Sequence, residues 1–366
     1  MFKIHTWGSF FILACGLSAQ SNTASLISQQ PYARLNLSYQ SWQSEMIINS
    51  SEIATPLEIY YPMNRQTAFM LRSSQGAFKG EDLSDLSGFG DTQLTALYHL
   101  SDNNILLQLG LNLPTGKSPL TREQFQSSML LGQTFYGYRL PNFGQGLNLS
   151  PGISWANPVS DQLILGLGLA YQLSGTYQPL SEDDRKYNPG NEILLTGGVD
   201  YQFDKITALS FDLILSFYGT DKFDTTEVYK AGNKIVATLK FQKYLGMNHL
   251  QLMGRFRSRT KSQSVSGGEL VEDEYKTHPD QLHALARYTL RRNPKTRITL
   301  IGEAQYFFNM IDLESLSLVG VGVSPRHRLS PNTILSGRLK FSTGFFKGYS
   351  KSIRGVEVAA GLEYYF

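Results

Sequence analysis

The chain is predicted to be all-β: an antiparallel up-and-down transmembrane β-barrel of about 14–16 strands, with long extracellular loops and short periplasmic turns. Three observations lead there. The last twelve residues alternate without a break, placing Val356, Val358, Ala360, Leu362, Tyr364 and Phe366 on one face and Gly355, Glu357, Ala359, Gly361, Glu363 and Tyr365 on the other. An amphipathic strand that closes the chain on an aromatic residue is how outer-membrane barrels finish. Segments of about ten residues with the same alternation run back to Pro31, near the length that crosses a bilayer at a ~45° tilt. The links between them alternate short and long, whereas sandwiches mix hairpins with Greek-key crossings and do not sort loops by end.

Residues 1–19 read as an export signal and 20–366 as one barrel domain. Lys3 gives a basic start, Trp7 to Ala14 an apolar stretch, and Gly16, Ser18 and Ala19 the small residues of a cleavage site. Cys15 follows Ile12, Leu13 and Ala14 as a lipid-attachment cysteine would, although the apolar stretch before it is short. It is the single cysteine, so cleavage at Ala19 leaves no disulfide, thiolate metal site or cysteine nucleophile.

Apolar residues make up 41% of the chain and mean hydropathy is below zero, which excludes a bundle of apolar membrane helices. The formal charge of +3 is too near neutral, and the basic residues too dispersed, for a nucleic-acid partner.

The clearest strand sets Leu163, Leu165, Leu167, Leu169, Tyr171 and Leu173 on one face. Others carry Leu94 to Tyr98, Ile105 to Leu113, Ile193 to Tyr201, Leu209 to Phe217, Ile235 to Phe241, Leu282 to Tyr288 and Ile298 to Tyr306, and these outward sets contain no charge. The opposite faces hold Asp91, His99, Asp200, Asp212, Lys240, Arg255, Arg257, His283, Arg287, Glu303, Arg338, Lys340, Glu357 and Glu363. In a barrel that face lines the lumen. Weaker strands at Tyr32 to Trp42, Thr55 to Tyr61, Thr67 to Phe78, Leu147 to Ala156, His249 to Arg259, Leu316 to Pro325 and Thr333 to Phe341 bring the count to roughly sixteen, with fourteen as the alternative. The apolar phase slips between Leu318 and Val319, as at a bulge. Long links are expected at Thr115 to Gly146, Gly175 to Gly190, Tyr218 to Asn233, Arg259 to Asp280 and Ser342 to Arg354. Met129 to Leu140 has a second reading, as a strand.

Few motifs carry chemistry. Gly116-Lys117-Ser118 ends like a phosphate-binding loop, but Gly110 is misplaced and Pro119 follows where a helix should begin. Gly88 with Gly90 and Gly320 with Gly322 lack the third glycine of a dinucleotide site, and paired glycines in a strand relieve crowding inside a barrel. Of the histidines, His278 and His283 alone approach metal-ligand spacing, and Pro279 separates them. No catalytic, cofactor or metal site is expected. The lumen and selectivity candidates are Arg255, Arg257, Arg259, His283, Arg287, Lys240, Glu303, Asp200 and Asp212. Three arginines on one face of one strand form a ladder favouring anions. The competing reading is internal pairing with Asp200, Asp212, Glu303 or Glu357.

Ser87-Gly88-Phe89-Gly90-Asp91, Leu113-Pro114-Thr115-Gly116-Lys117 and Tyr187-Asn188-Pro189-Gly190 together resemble the outer-membrane barrel transporters linked to the meta-pathway of phenol degradation, related to FadL-type channels. The likeness covers Leu86 to Gly219 best. It implies a non-enzymatic channel that carries small hydrophobic or aromatic compounds, or other small solutes, into the periplasm. FadL-type barrels carry an N-terminal plug with an Asn-Pro-Ala element, which this chain lacks. The expected setting is the bacterial outer membrane. The partners are its lipid, a small-molecule solute, and the assembly machinery acting on the strand that ends at Phe366. Two other functions fit the same pattern, a non-conducting surface-interaction barrel and a barrel lipid hydrolase using His283. The Thr115 to Gly146 link is the expected constriction.

Overall fold

A computed structural model describes residues 27, 28, 30–45, 48–100, 104–140, 142–310, 313–349 and 351–366. The export signal, its cleavage point and Cys15 lie outside the described residues. In chain order the elements are β1 (Tyr32–Ser44), β2 (Ser50–Pro62), β3 (Thr67–Gly80), β4 (Leu86–Phe89), β5 (Thr92–Leu100), β6 (Ile105–Leu113), α1 (Arg122–Leu131), β7 (Asn148–Pro158), β8 (Leu163–Ser174) and β9 (Tyr187–Asn188). They continue as β10 (Glu192–Asp204), β11 (Thr207–Tyr218), β12 (Thr220–Phe223), β13 (Thr226–Lys230), β14 (Lys234–Leu245), β15 (Asn248–Arg259), β16 (Gln263–Ser266) and β17 (Glu269–Glu272). The last are β18 (Asp280–Arg291), β19 (Thr296–Met310), β20 (Leu313–Arg328), β21 (Thr333–Phe346) and β22 (Ser352–Tyr365).

Every wall strand pairs antiparallel with its neighbour in the chain. β1 then pairs with β22 from Tyr32↔Tyr365 to Ser44↔Ile353, closing the sheet. β4 and β5 both pair with β3 and form one wall strand broken at Gly90 and Asp91, so the barrel has sixteen staves. Closure leaves no unpaired edge, the condition for placing strands in lipid. At ~4.8 Å between strands and a ~40° tilt, sixteen staves give a backbone diameter of about 30 Å.

The outward phase is the one read from the sequence. Leu167, Leu169, Leu239, Leu252, Leu282, Leu300, Leu339 and Val358 are all exposed, forming an uncharged belt around the sheet. A closed barrel with this belt is a membrane-spanning barrel of the outer-membrane type, and this places the chain in the bacterial outer membrane. Placing a cation in the belt, as in Val321→Arg, is expected to cost about 2–4 kcal/mol at mid-depth, read from urea titration of folding into vesicles.

Three expectations are corrected. There is no bulge at Leu318 and Val319: β20 runs in unbroken register there, Leu318↔Gln305 and Val319↔Ala304 on one side, Leu318↔Gly344 and Val319↔Thr343 on the other. The alternation is lost in the sequence there because both faces are apolar. Leu316 and Leu318 point inward and are buried, while Val319 and Val321 point to lipid. Met129 to Leu140 is not a strand; its first residues end α1 and the rest turn into the lumen. The outer links are long only at 114–147, 175–191, 219–233 and 260–279. Those after β1, β3, β19 and β21 are short because their strands reach further, with β21 ending at Phe346 and β22 starting at Ser352.

Candidate functional site

The link between β6 and β7 folds into the barrel. Thr121 caps α1: its side chain accepts from Gln124 N, while the Gln124 side chain returns to the Thr121 backbone. This Thr-x-x-Gln capping box is a helix-start signal readable in the sequence. Ser127 Oγ ties the helix to Ser84 O at 2.6 Å. Beyond it Phe135, Tyr136, Tyr138, Leu140 and Phe143 form one buried cluster with the inward side chains Phe78, Leu86, Phe307, Leu316, Leu318, Phe346 and Ile353. Each such aromatic or aliphatic side chain contributes about 1.5–3 kcal/mol of burial.

Polar anchors fix how the link sits. The Glu52 carboxylate, 2% exposed, accepts from Arg139 N at 2.7 Å and Leu140 N at 2.8 Å. Tyr138 donates to Ser50 Oγ at 2.7 Å, and Trp42 Nε1 donates to Tyr136 O at 3.0 Å. At the neck, Asp91 gathers Gly116 N, Gln145 N and Asn112 Nδ2 within 2.7–2.8 Å. A carboxylate therefore takes the Gly116 backbone donor of the segment that resembled a phosphate loop, Lys117 N being spent on Phe89 O, and it would repel a phosphate. Gly76 and Gly90 lie under Leu140, where an added Cβ would come within 2.8 and 2.9 Å of its methyl groups. The sequence pattern contains the glycines and Asp91 but not the partner that explains them.

Ion pairs lock the same half of the lumen. Glu357 meets Arg139 of the link, Arg338 at 3.3 Å and Lys340 at 3.5 Å. Lys340 also reaches Glu303 at 3.1 Å, across β20, where Gly320 and Gly322 present no side chain. His283 Nε2 lies 3.2 Å from Glu303 Oε1, off the direction of a hydrogen bond. Towards the periplasm, Arg34 bridges Glu58 and Glu363 at 3.4 and 3.0 Å, Arg72 meets Glu58 at 2.7 Å and Arg326 meets Glu363 at 2.9 Å. Ile27 is seated there among Tyr60, Ala68, Met70, Leu97 and Leu106, and Tyr60 donates to Ser28 O at 2.9 Å.

The wall from β7 to β18 is different. Most of its inward side chains are half-buried, with Ser154 and Arg255 exposed and Glu192, Ser216, Thr238 and Gln281 buried, whereas inward Ser38, Gln40, Glu52 and Glu357 on the other side are all buried. All the lumen candidates face inward by register. Lys240 pairs with Asp212 at 2.8 Å, and Asp200 lies opposite Ser210. Arg255 lies opposite His283, Arg257 opposite Gln281, and Arg287 opposite Gln251. Arg259 stacks on Tyr218, 5.0 Å from the ring centre, and Lys234 shares that ring at 5.7 Å. Internal pairing thus takes Lys240, Asp212 and Glu303. Among the described residues, Arg255, Arg257 and Arg287 make no ion pair.

At the outer mouth, β9, β12, β13, β16 and β17 form a separate five-stranded sheet from three successive loops. Asp221 holds the Tyr187 to Gly190 motif to it, accepting from Tyr187 Oη at 2.5 Å and Gly190 N at 2.7 Å. Between this sheet and α1 is a pocket of about 490 Å³ lined by Phe125, Leu180, Phe223, Val228 and Val265, with Arg122, Asp183 and Arg185 also lining it. Hydrogen bonds from Arg185 hold the Asp183 carboxyl down at about 2, so that pair is neutral at any physiological pH.

The fold defines a transmembrane β-barrel with a half-filled lumen. No family model and no curated protein matches the chain. Among solved structures it is similar to the CymD monoaromatic hydrocarbon channel at 12% identity and TM-score 0.46, covering 93% of this chain and 90% of that one. It is also similar to a FadL homologue of Pseudomonas aeruginosa at 11% identity and TM-score 0.45, covering 92% and 90%. An anion-selective porin from Comamonas acidovorans gives 13% identity and TM-score 0.42, covering 92% and 98%. These likenesses concern barrel architecture alone.

Proposed function

We propose that the chain is a non-enzymatic outer-membrane channel that passes small solutes between the inward link and the β7 to β18 wall. The observation that carries this reading is the asymmetry of the lumen: inward residues such as Gln40, Glu52 and Glu357 are buried under the link on one side, while on the other most are half-buried and Ser154 and Arg255 are exposed. Hydrophobic or aromatic solutes suit the apolar pocket at the mouth, whose volume matches a compact organic molecule. They also suit the family that the three loop motifs resemble. A hydrolase would need a nucleophile beside His283, and its register partners on the neighbouring strands are Arg255 and Gln305.

The test is current through the purified full-length barrel in planar bilayers. Discrete conductance steps are expected; their absence would favour a surface-interaction barrel in which the outer sheet is the working part. Phe366, exposed at the periplasmic end of the closing strand, is the proposed signal to the assembly machinery. Its deletion is expected to lower the folded fraction in membranes, read as loss of the heat-modifiable gel band.

A further inference from the structure

We infer that the passage is built for organic anions, specifically small carboxylates with a compact apolar body, held at Arg255 and its neighbours. This deepens the channel reading and rests on it. Arg255, Arg257 and Arg259 project from one face of β15 at every second residue, about 7 Å apart along the strand. Register places Arg287 of β18 opposite Gln251, about 13 Å further towards the periplasm than Arg255. Between those two levels Met253 lies opposite Leu285, an apolar pair flanked by Lys240 and Glu303, which are themselves held in ion pairs with Asp212 and Lys340.

Electrostatic accounting sets this wall apart. Glu303, Glu357 and Asp212 already hold Lys340, Arg139, Arg338 and Lys240. Asp200 makes no ion pair among the described residues and lies three strands from β15, opposite Ser210. Asp212 and Glu303, the carboxylates that act on Arg255 and Arg287, are already taken by lysines, and among the described residues the guanidiniums of Arg255, Arg257 and Arg287 thus make no ion pair. Each offers a planar fork of donors that matches a carboxylate. Arg255 is exposed to the passage, and its guanidinium donates weakly to Met253 Sδ at 3.9 Å. A solute carboxylate handed along the arginines finds the next cation without an ion pair, Arg287, only after the Met253 and Leu285 step. That step favours a molecule whose remainder is apolar over a fully hydrated polyanion.

The test uses the full-length barrel in planar bilayers, with reversal potential under a KCl gradient and the effect of added benzoate or its neutral isostere benzamide. Chloride is expected to permeate several-fold better than potassium. Benzoate is expected to reduce chloride current where benzamide does not. In the Arg255→Gln, Arg257→Gln double variant the permeability ratio is expected to fall to about one and the benzoate effect to disappear. If that variant does not fold, the wild-type comparison of benzoate with benzamide still decides. Current that prefers potassium, or that responds equally to both compounds, overturns the inference and leaves the channel standing. Absence of any current overturns both.

Discussion

Removing residues 119–143 is expected to raise single-channel conductance about two- to four-fold, because the segment fills roughly half of a ~30 Å barrel whose walls pair without it. Every wall strand is hydrogen-bonded to two other wall strands, and none takes the link as a pairing partner. The deleted barrel should therefore still close. Its exposed inner patch around Phe78, Leu316 and Phe346 would lower stability without opening the sheet. Glu52→Ala is the milder form of the same experiment. It removes the acceptor of two backbone hydrogen bonds at the tip of the link, worth about 1.5–3 kcal/mol each. Fluctuating current steps are expected as the tip leaves its seat. Unchanged conductance in both variants would mean that the link does not limit the passage.

Glu357→Gln is expected to destabilise the folded barrel by about 3–5 kcal/mol, the usual consequence of breaking a buried ion pair from one side. The Glu357 side chain is 5% exposed and faces Arg139, Arg338 and Lys340, so the substitution leaves cations crowded around a neutral amide. Two readouts should move together. The urea midpoint of unfolding should fall, and chloride preference should rise because Arg139 and Arg338 lose the charge that balances them. A fall in stability with no change in selectivity would confine this network to holding the link in place.

Much of the architecture is written in alternation. A strand presents successive side chains to opposite faces, so a charge-free stripe opposite a charged one identifies lipid and lumen before any pairing is known. That is why the lipid belt and the inward direction of Arg255, Arg257, His283 and Arg287 could be read from periodicity. The same rule misled at Leu318, because an inward residue in contact with the folded-in link is as apolar as one in contact with lipid. The Thr121 capping box was legible too, but the polar composition around it reads as loop, and a helix of ten residues gives a weak periodic signal.

Compartment, strand phase and the sign of the charges inside the barrel are local properties, carried by neighbours two residues apart, and they follow from the order of residues alone. Which lumen charges are neutralised is a different kind of fact. Lys340 meets Glu303 across a strand made bare by Gly320 and Gly322, and Arg139 reaches Glu357 from a loop more than two hundred residues earlier in the chain. Such pairings depend on barrel closure and on the path of one link through the interior. Coulomb energy falls with distance in space, not along the chain, so only the folded molecule distinguishes the paired cations from Arg255, Arg257 and Arg287.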